Sequence, residues 1–148
     1  MFPENALIPR AEIRVNDIRY ANLLRSALAR IPKDVLPIRT VARVNLSKRS
    51  TNREFAGLTK YRYPVKEQNQ EHAGRFDVGR QTITLYTELL DQLSDGAALA
   101  VVAHELAHAW LNEHKVPEES ESREKEADDL ARRWGFGREL AALNREVD

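Results

Sequence analysis

Apolar residues recur every three or four positions in the first part of the chain, which is the period of an amphipathic helix. The pattern begins at Asn16 or Asp17, either of which can cap the helix, and it runs to about Ile31. Pro32 ends it, because proline lacks the backbone N–H that a helix needs. Residues 1–15 carry two prolines and are predicted to form an extended lead-in.

The pattern then changes to the period of two that is typical of strands. Residues 38–46 alternate between apolar and polar positions, and residues 55–63 form a second candidate strand. Within the second strand, Gly57 indicates a bulge or a close approach of another chain segment. Both strands are flanked by polar stretches that predict loops.

Residues 73–86 are predicted to form a hairpin. Its arms are residues 75–78 and 81–86, and Gly79 and Arg80 make a two-residue turn between them. The second arm is a candidate edge strand that could pair with an extended peptide, although an ordinary sheet strand explains the pattern equally well.

The rest of the chain reads as helical. The predicted helices are Thr87 to Leu93 with Thr87 as cap, Ser94 or Asp95 to about His114, Glu121 to Trp134, and residues 137–147. Gly135 ends the third of these, as glycine commonly does. The whole pattern predicts an α+β fold in one domain over residues 1–148, with a small twisted sheet packed on a long helix.

That long helix contains the sequence His104-Glu105-Leu106-Ala107-His108. Residues four apart lie on one face of a helix, so His104 and His108 can present two imidazole nitrogens to one metal ion. Glu105 can act as general base on the water that a Zn²⁺ ion activates, which is the chemistry of zinc hydrolases. The flanking residues are uncharged, and buried polar groups in such a run are costly unless something pairs with them.

A catalytic zinc site needs a third protein ligand. His114 follows His104 at the metzincin spacing, but Leu111 stands where that motif has a glycine, and no methionine follows for a Met-turn. If the helix continues, His114 points nearly opposite to His108. We therefore do not favour His114 as a ligand.

A helical hairpin centred near Val116 provides a better candidate. His108 lies eight residues before this turn and Glu124 eight residues after it, so the two are level on antiparallel helices. Two alanines on the Glu124 face permit close packing of the helices. Glu124 is the preferred third ligand, and Glu121, Glu126 and Asp128 remain as alternatives.

The second helix of this hairpin reads Glu124-Lys125-Glu126-Ala127-Asp128-Asp129-Leu130-Ala131. This helix resembles the Glu-x-x-Ala-(Asp/Asn)-x-x-Ala signature of gluzincin metallopeptidases. Over residues 73–135 the chain is similar to HtpX-type and CAAX-protease-type membrane peptidases and to soluble ImmA/IrrE-type peptidases. The resemblance implies a zincin-like fold, Glu124 as a zinc ligand and Asp128 near the ligands. There Asp128 could orient a histidine by accepting its other N–H.

Composition sets the class of protein. Apolar residues make up 42% and charged residues 31%, as in a globular protein, and cysteine is absent. Without cysteine, any metal must be held by His, Glu and Asp. No apolar run reaches about 18 residues and the start does not resemble a signal peptide, so we expect a cytoplasmic protein with no membrane partner.

The net charge of zero hides an uneven distribution. Residues 1–66 carry 14 Lys and Arg against 5 Asp and Glu, a net +9, and residues 67–148 carry 9 against 18, a net −9. A basic half can attract nucleic acid, but its charges are scattered, which favours mutual neutralisation of the two halves.

Three function classes follow. The favoured one is a zinc metallopeptidase acting on a peptide or protein substrate. The second is a regulatory protease associated with DNA or a transcription factor, as the resemblance to ImmA/IrrE proteins implies. The third is a non-catalytic, zinc-stabilised binding module.

Overall fold

A four-stranded sheet and five helices make up the part of the chain that the computed structural model describes, residues 5–48, 57–62, 80–115 and 120–147. The predicted α+β class and the small sheet on a long helix are confirmed. A 3₁₀ turn at Asn5–Leu7 precedes the first strand. No helix in these ranges has the length and apolar character needed to cross a membrane.

The sheet is mostly parallel. Its strands are β1 (Glu12–Arg14), β2 (Val41–Ser47), β3 (Gly57–Arg62) and β4 (Arg80–Tyr86). They lie in the order β1-β2-β4-β3, where β1, β2 and β4 run parallel and β3 runs antiparallel to β4. The predicted lead-in therefore contains a short paired strand, and β3 lies at an edge of this sheet.

Two predictions about residues 73–86 need correction. Arg80 is the first residue of β4 and not a turn residue, while residues 75–79 lie outside the described residues. The strand Gln81–Tyr86 is not an edge strand, because β2 pairs with one side of it and β3 with the other. A peptide cannot add to β4, and the edge that lies beside the candidate site belongs to β3.

The first helices begin largely where the sequence predicts. Helix α1 (Ile18–Arg30) is capped by Asp17, whose carboxylate accepts the backbone N–H of Arg19 at 2.9 Å. Helix α2 (Thr87–Leu90) has Tyr86 at its cap position without a side-chain bond, so Thr87 is its first residue and not its cap.

Helix α3 (Asp95–His114) is the centre of the fold. Ser94 caps it by accepting the backbone N–H of Ala97, and Glu146 in turn accepts both the N–H and the hydroxyl of Ser94. Most of its residues are buried, including positions on every side, because α1, α4, α5 and the strands β3 and β4 surround it. A helix enclosed in this way can hold side chains in fixed positions.

The chain after α3 forms helix α4 (Ser120–Ala131), a π-helical turn (Arg132–Phe136) and helix α5 (Gly137–Val147). Gly135 separates the two helices with a φ of 103°, a conformation that glycine adopts without the strain other residues would incur. The predicted end at Gly135 is confirmed, although the regular α-helix stops at Ala131.

A polar network fastens the C-terminal half of α3 to the sheet. Gln81, which is fully buried, donates to the hydroxyl of Thr40 and to the carbonyl of Ala109, both at 2.8 Å. Glu113 accepts the backbone N–H groups of Arg39 and Thr40, also at 2.8 Å. Buried polar groups are stable only when paired, so these bonds fix the position of α3 against the start of β2 and β4.

Candidate metal centre

His104 and His108 lie one turn apart on the same face of α3. Their ring centroids are 4.5 Å apart and the ring planes meet at 85°. Both side chains are mostly buried. The helix therefore brings two imidazoles together at one point, as the spacing predicts.

Glu124 on α4 completes the group. Its Oε2 lies 3.0 Å from Nε2 of His104 and its Oε1 lies 2.8 Å from Nε2 of His108. One potential ligand atom from each of the three residues lies within 4.8 Å of the others. The contacts show that the two helices run antiparallel here: His104 reaches Glu124 and the later residue Asp128, whereas His108, one turn further along α3, reaches Glu124.

Asp128 follows Glu124 by one turn of α4. Its Oδ1 lies 2.7 Å from Nδ1 of His104, the ring nitrogen that does not face Glu124. Burial alone would lower the pKa of His104, but the hydrogen bonds to Asp128 and then Glu124 raise it to about 10. When Nδ1 donates its proton to Asp128, Nε2 is the nitrogen left to bind a metal ion.

The Glu124 carboxylate is the exposed member of the group, with 63% of its side chain accessible. Hydrogen bonds from His104 and then His108 hold its pKa well below its usual range. Both hydrogen bonds favour the ionised form of Glu124, and its exposure leaves the site open to solvent on the α4 side.

Glu105 lies next to the His104–His108 face of α3, turned toward β3, and is only 6% exposed. Burial raises its pKa, although His104 and His108 and the hydroxyl of Thr59 act in the opposite direction. Thr59 donates to Oε1 at 2.6 Å and also lies 3.1 Å from the backbone carbonyl of Glu105. Sequence analysis did not identify Thr59, because a threonine in a strand is ordinary.

The alternative ligands lie elsewhere. His114 is still within α3, its Nε2 lies 3.1 Å from the carbonyl oxygen of Pro37, and its ring packs against Trp110. Glu126 forms an ion pair with Arg123 at 3.3 Å. The side chain of Glu121 is outside the described part of the chain, so within that part only His104, His108 and Glu124 form a group that can hold a metal.

The chemistry of the donor set fits zinc. Two neutral imidazole nitrogens and one carboxylate oxygen form the three-ligand set of one class of catalytic zinc site. A carboxylate accepting from the remaining nitrogen of a ligand histidine is a common companion of such sites. The described residues therefore contain three groups that could bind zinc and one carboxylate placed to support them.

Replacing Asp128 with asparagine is expected to weaken zinc binding by about 10-fold to 100-fold, because the amide holds the Nδ1 proton of His104 less strongly. Competition with a chromophoric chelator measures this affinity. Asp129→Asn makes the same change at the neighbouring residue, which pairs with Arg132, and should leave the affinity unaltered. Equal affinities for wild type and Asp128→Asn would show that Asp128 does not support the ligand.

Comparison with known proteins adds one finding. The model of the SprT-like family matches residues 25–123, two thirds of the chain, and the matched region includes the second half of α1, strands β2 to β4, α2, α3 and the start of α4. No curated protein and no solved structure matches significantly.

Proposed function

The chain belongs to the SprT-like family, which is related to zincin-like metallopeptidases, and we propose that it is itself a zinc-dependent metallopeptidase of the gluzincin type. The observation that carries the proposal is the convergence of His104 and His108 on Glu124, at 3.0 and 2.8 Å. The family match also supports it, because that match covers all of the helix that bears both histidines and Glu105.

In this proposal His104, His108 and Glu124 hold Zn²⁺. When bound, the ion acts as a Lewis acid that activates water and polarises a carbonyl group. Glu105 accepts the proton of the attacking water at a carboxylate oxygen and later transfers it to the nitrogen of the departing amine. Asp128 keeps the proton of His104 on Nδ1 throughout.

The proposed substrate is an extended peptide segment that lies along the outer edge of β3. No described strand pairs with that edge, and an extended chain can add to a free strand through backbone hydrogen bonds. Gly57 and Thr59 of β3 both contact Glu105, so a peptide paired there would pass beside the general base.

The purified protein is expected to carry about one zinc ion per chain, in keeping with one three-ligand site. It should cleave casein, whose disordered chain offers extended segments. Dialysis against 1,10-phenanthroline should remove both zinc and cleavage, and added zinc should restore both. Elemental analysis and a fluorescent casein assay measure the two quantities. Cleavage that persists in zinc-free protein would refute the proposal.

A further inference from the structure

Two residues of β3 face Glu105, and neither belongs to the metal group. Gly57 and Thr59 are two positions apart, so they lie on the same face of the strand. The hydroxyl of Thr59 donates a hydrogen bond to the Glu105 carboxyl group, and Gly57, which has no side chain, leaves space beside that group. The two features act on different oxygens of Glu105.

The contact with Thr59 involves Oε1. At 2.6 Å it is a short hydrogen bond, and within the described residues no other hydrogen bond reaches this carboxyl group. Glu105 is buried, so a carboxylate without such a donor would be costly. The bond also restricts rotation of the carboxylate, because one oxygen is tied to the strand.

The space beside Gly57 involves Oε2. A Cβ atom built on Gly57 would lie 2.9 Å from Cγ of Glu105, 3.0 Å from Cγ1 of Val101 and 3.2 Å from Oε2 of Glu105. All three distances are closer than ordinary van der Waals contact between side chains. Any larger residue would therefore displace the Glu105 side chain or fill the space next to Oε2.

We propose that Thr59 is a positioning residue for the general base: its hydroxyl holds Oε1 of Glu105, and Gly57, which has no side chain, leaves room beside Oε2, the oxygen that receives the proton. This inference rests on the proposed peptidase function. It assigns the edge strand a part in orienting Glu105, in addition to any contact with substrate. A misplacement of a catalytic group by about 1 Å can lower a rate by about 10²-fold, so a single hydroxyl can matter at this position.

The test begins with Thr59→Val, which replaces the hydroxyl by a methyl group of similar size. With zinc-loaded protein and fluorescent casein, we expect kcat to fall about 10-fold to 100-fold while KM and zinc content stay the same. Thr59→Ser keeps the hydroxyl and should restore most of kcat. A merely structural role for Thr59 would not produce this separation of kcat from KM or the rescue by serine.

Thr82→Val is the matched control. Thr82 lies on β4 in a position that alternates with the buried residues Gln81 and Ile83, so it faces away from α3. Thr82→Val should therefore leave kcat unchanged. Gly57→Ala is the second probe, and we expect it to lower kcat at least as much as Thr59→Val does, because the added methyl group meets Glu105 directly.

A measurement without catalysis keeps this inference separate from the proposed function. Urea unfolding of the metal-free wild type, Thr59→Val, Glu105→Leu and the double variant forms a double-mutant cycle, in which leucine, unlike glutamine, cannot accept the hydrogen bond from Thr59. Non-additive midpoints support a direct bond between Thr59 and Glu105, and additive midpoints overturn the inference whether or not the protein cleaves casein. An unchanged kcat in Thr59→Val also overturns it. If the zinc-loaded wild type does not cleave casein, the proposed function fails, and the cycle alone decides the contact.

Discussion

Glu105→Gln is expected to keep its zinc and to lower the turnover of casein by at least about 10²-fold. Glutamine has the same shape and can still accept the hydrogen bond from Thr59, but it cannot take a proton from water. Glu105 is not one of the three residues of the metal group, so the zinc content should remain near that of the wild type. Elemental analysis and the initial rate of cleavage, measured on the same preparation, test both halves.

Glu113→Gln is the matched control for this variant. It makes the same change in a side chain that is 14% exposed on the same helix, where the carboxylate accepts backbone N–H groups of Arg39 and Thr40 instead of facing the metal group. Its turnover should stay close to that of the wild type. Equal turnover in Glu105→Gln and wild type would remove Glu105 from the mechanism, and zinc binding without any turnover in either protein would favour a non-catalytic zinc module.

The placement of the metal group could be predicted because it depends on helix geometry and on the position of one turn between two helices. A rise of about 1.5 Å and a turn of about 100° per residue place His104 above His108, and equal distances from a turn place Glu124 opposite them. The structure brings the three together, and Asp128 reaches the far nitrogen of His104. Zinc binding and the roles of these residues remain predictions.

The position of β4 could not be predicted in this way. A strand with alternating buried residues looks the same at an edge and in the interior, and its neighbours are decided by chain segments far away in sequence. Gly79-Arg80 resembles a hairpin connection in the sequence, yet Arg80 pairs with Arg62 of β3 in the sheet. Strand order is a property of the whole chain.

The contact between β3 and Glu105 was only half visible in the sequence. Gly57 in a strand indicates a bulge or close approach, and the structure shows close approach to a side chain of α3. Thr59 carries no such signal, because its hydroxyl acts on a residue 46 positions later in the chain. Tertiary packing alone gives this threonine its significance.

Glu124→Gln is expected to lose most of its zinc and, with it, the thermal stabilisation that zinc provides. The ion would join α3 to α4, and a ligand present at about 100 times its Kd stabilises the folded state by about 2.7 kcal/mol. For a chain near this length, about 1 kcal/mol corresponds to a shift of about 2–4 °C, so chelation should lower the wild-type Tm by about 5–10 °C. The variant should show almost no difference between zinc-loaded and chelated samples.

Two controls define this result. Glu126→Gln makes the same change two residues further along α4, where the carboxylate faces Arg123, and His114→Ala tests the metzincin spacing. Both variants should retain the wild-type difference in Tm between zinc-loaded and chelated samples. Because each variant is compared with itself, this difference excludes any effect of the substitution on the metal-free fold. The chelated wild type should still unfold cooperatively, because Ala127 and Ala131 of α4 are fully buried in the core and are not among the proposed ligands. If His114→Ala lost this difference in Tm and Glu124→Gln kept it, His114 and not Glu124 would be the third ligand. Complete unfolding of the wild type on chelation would identify a structural zinc site in place of a catalytic one.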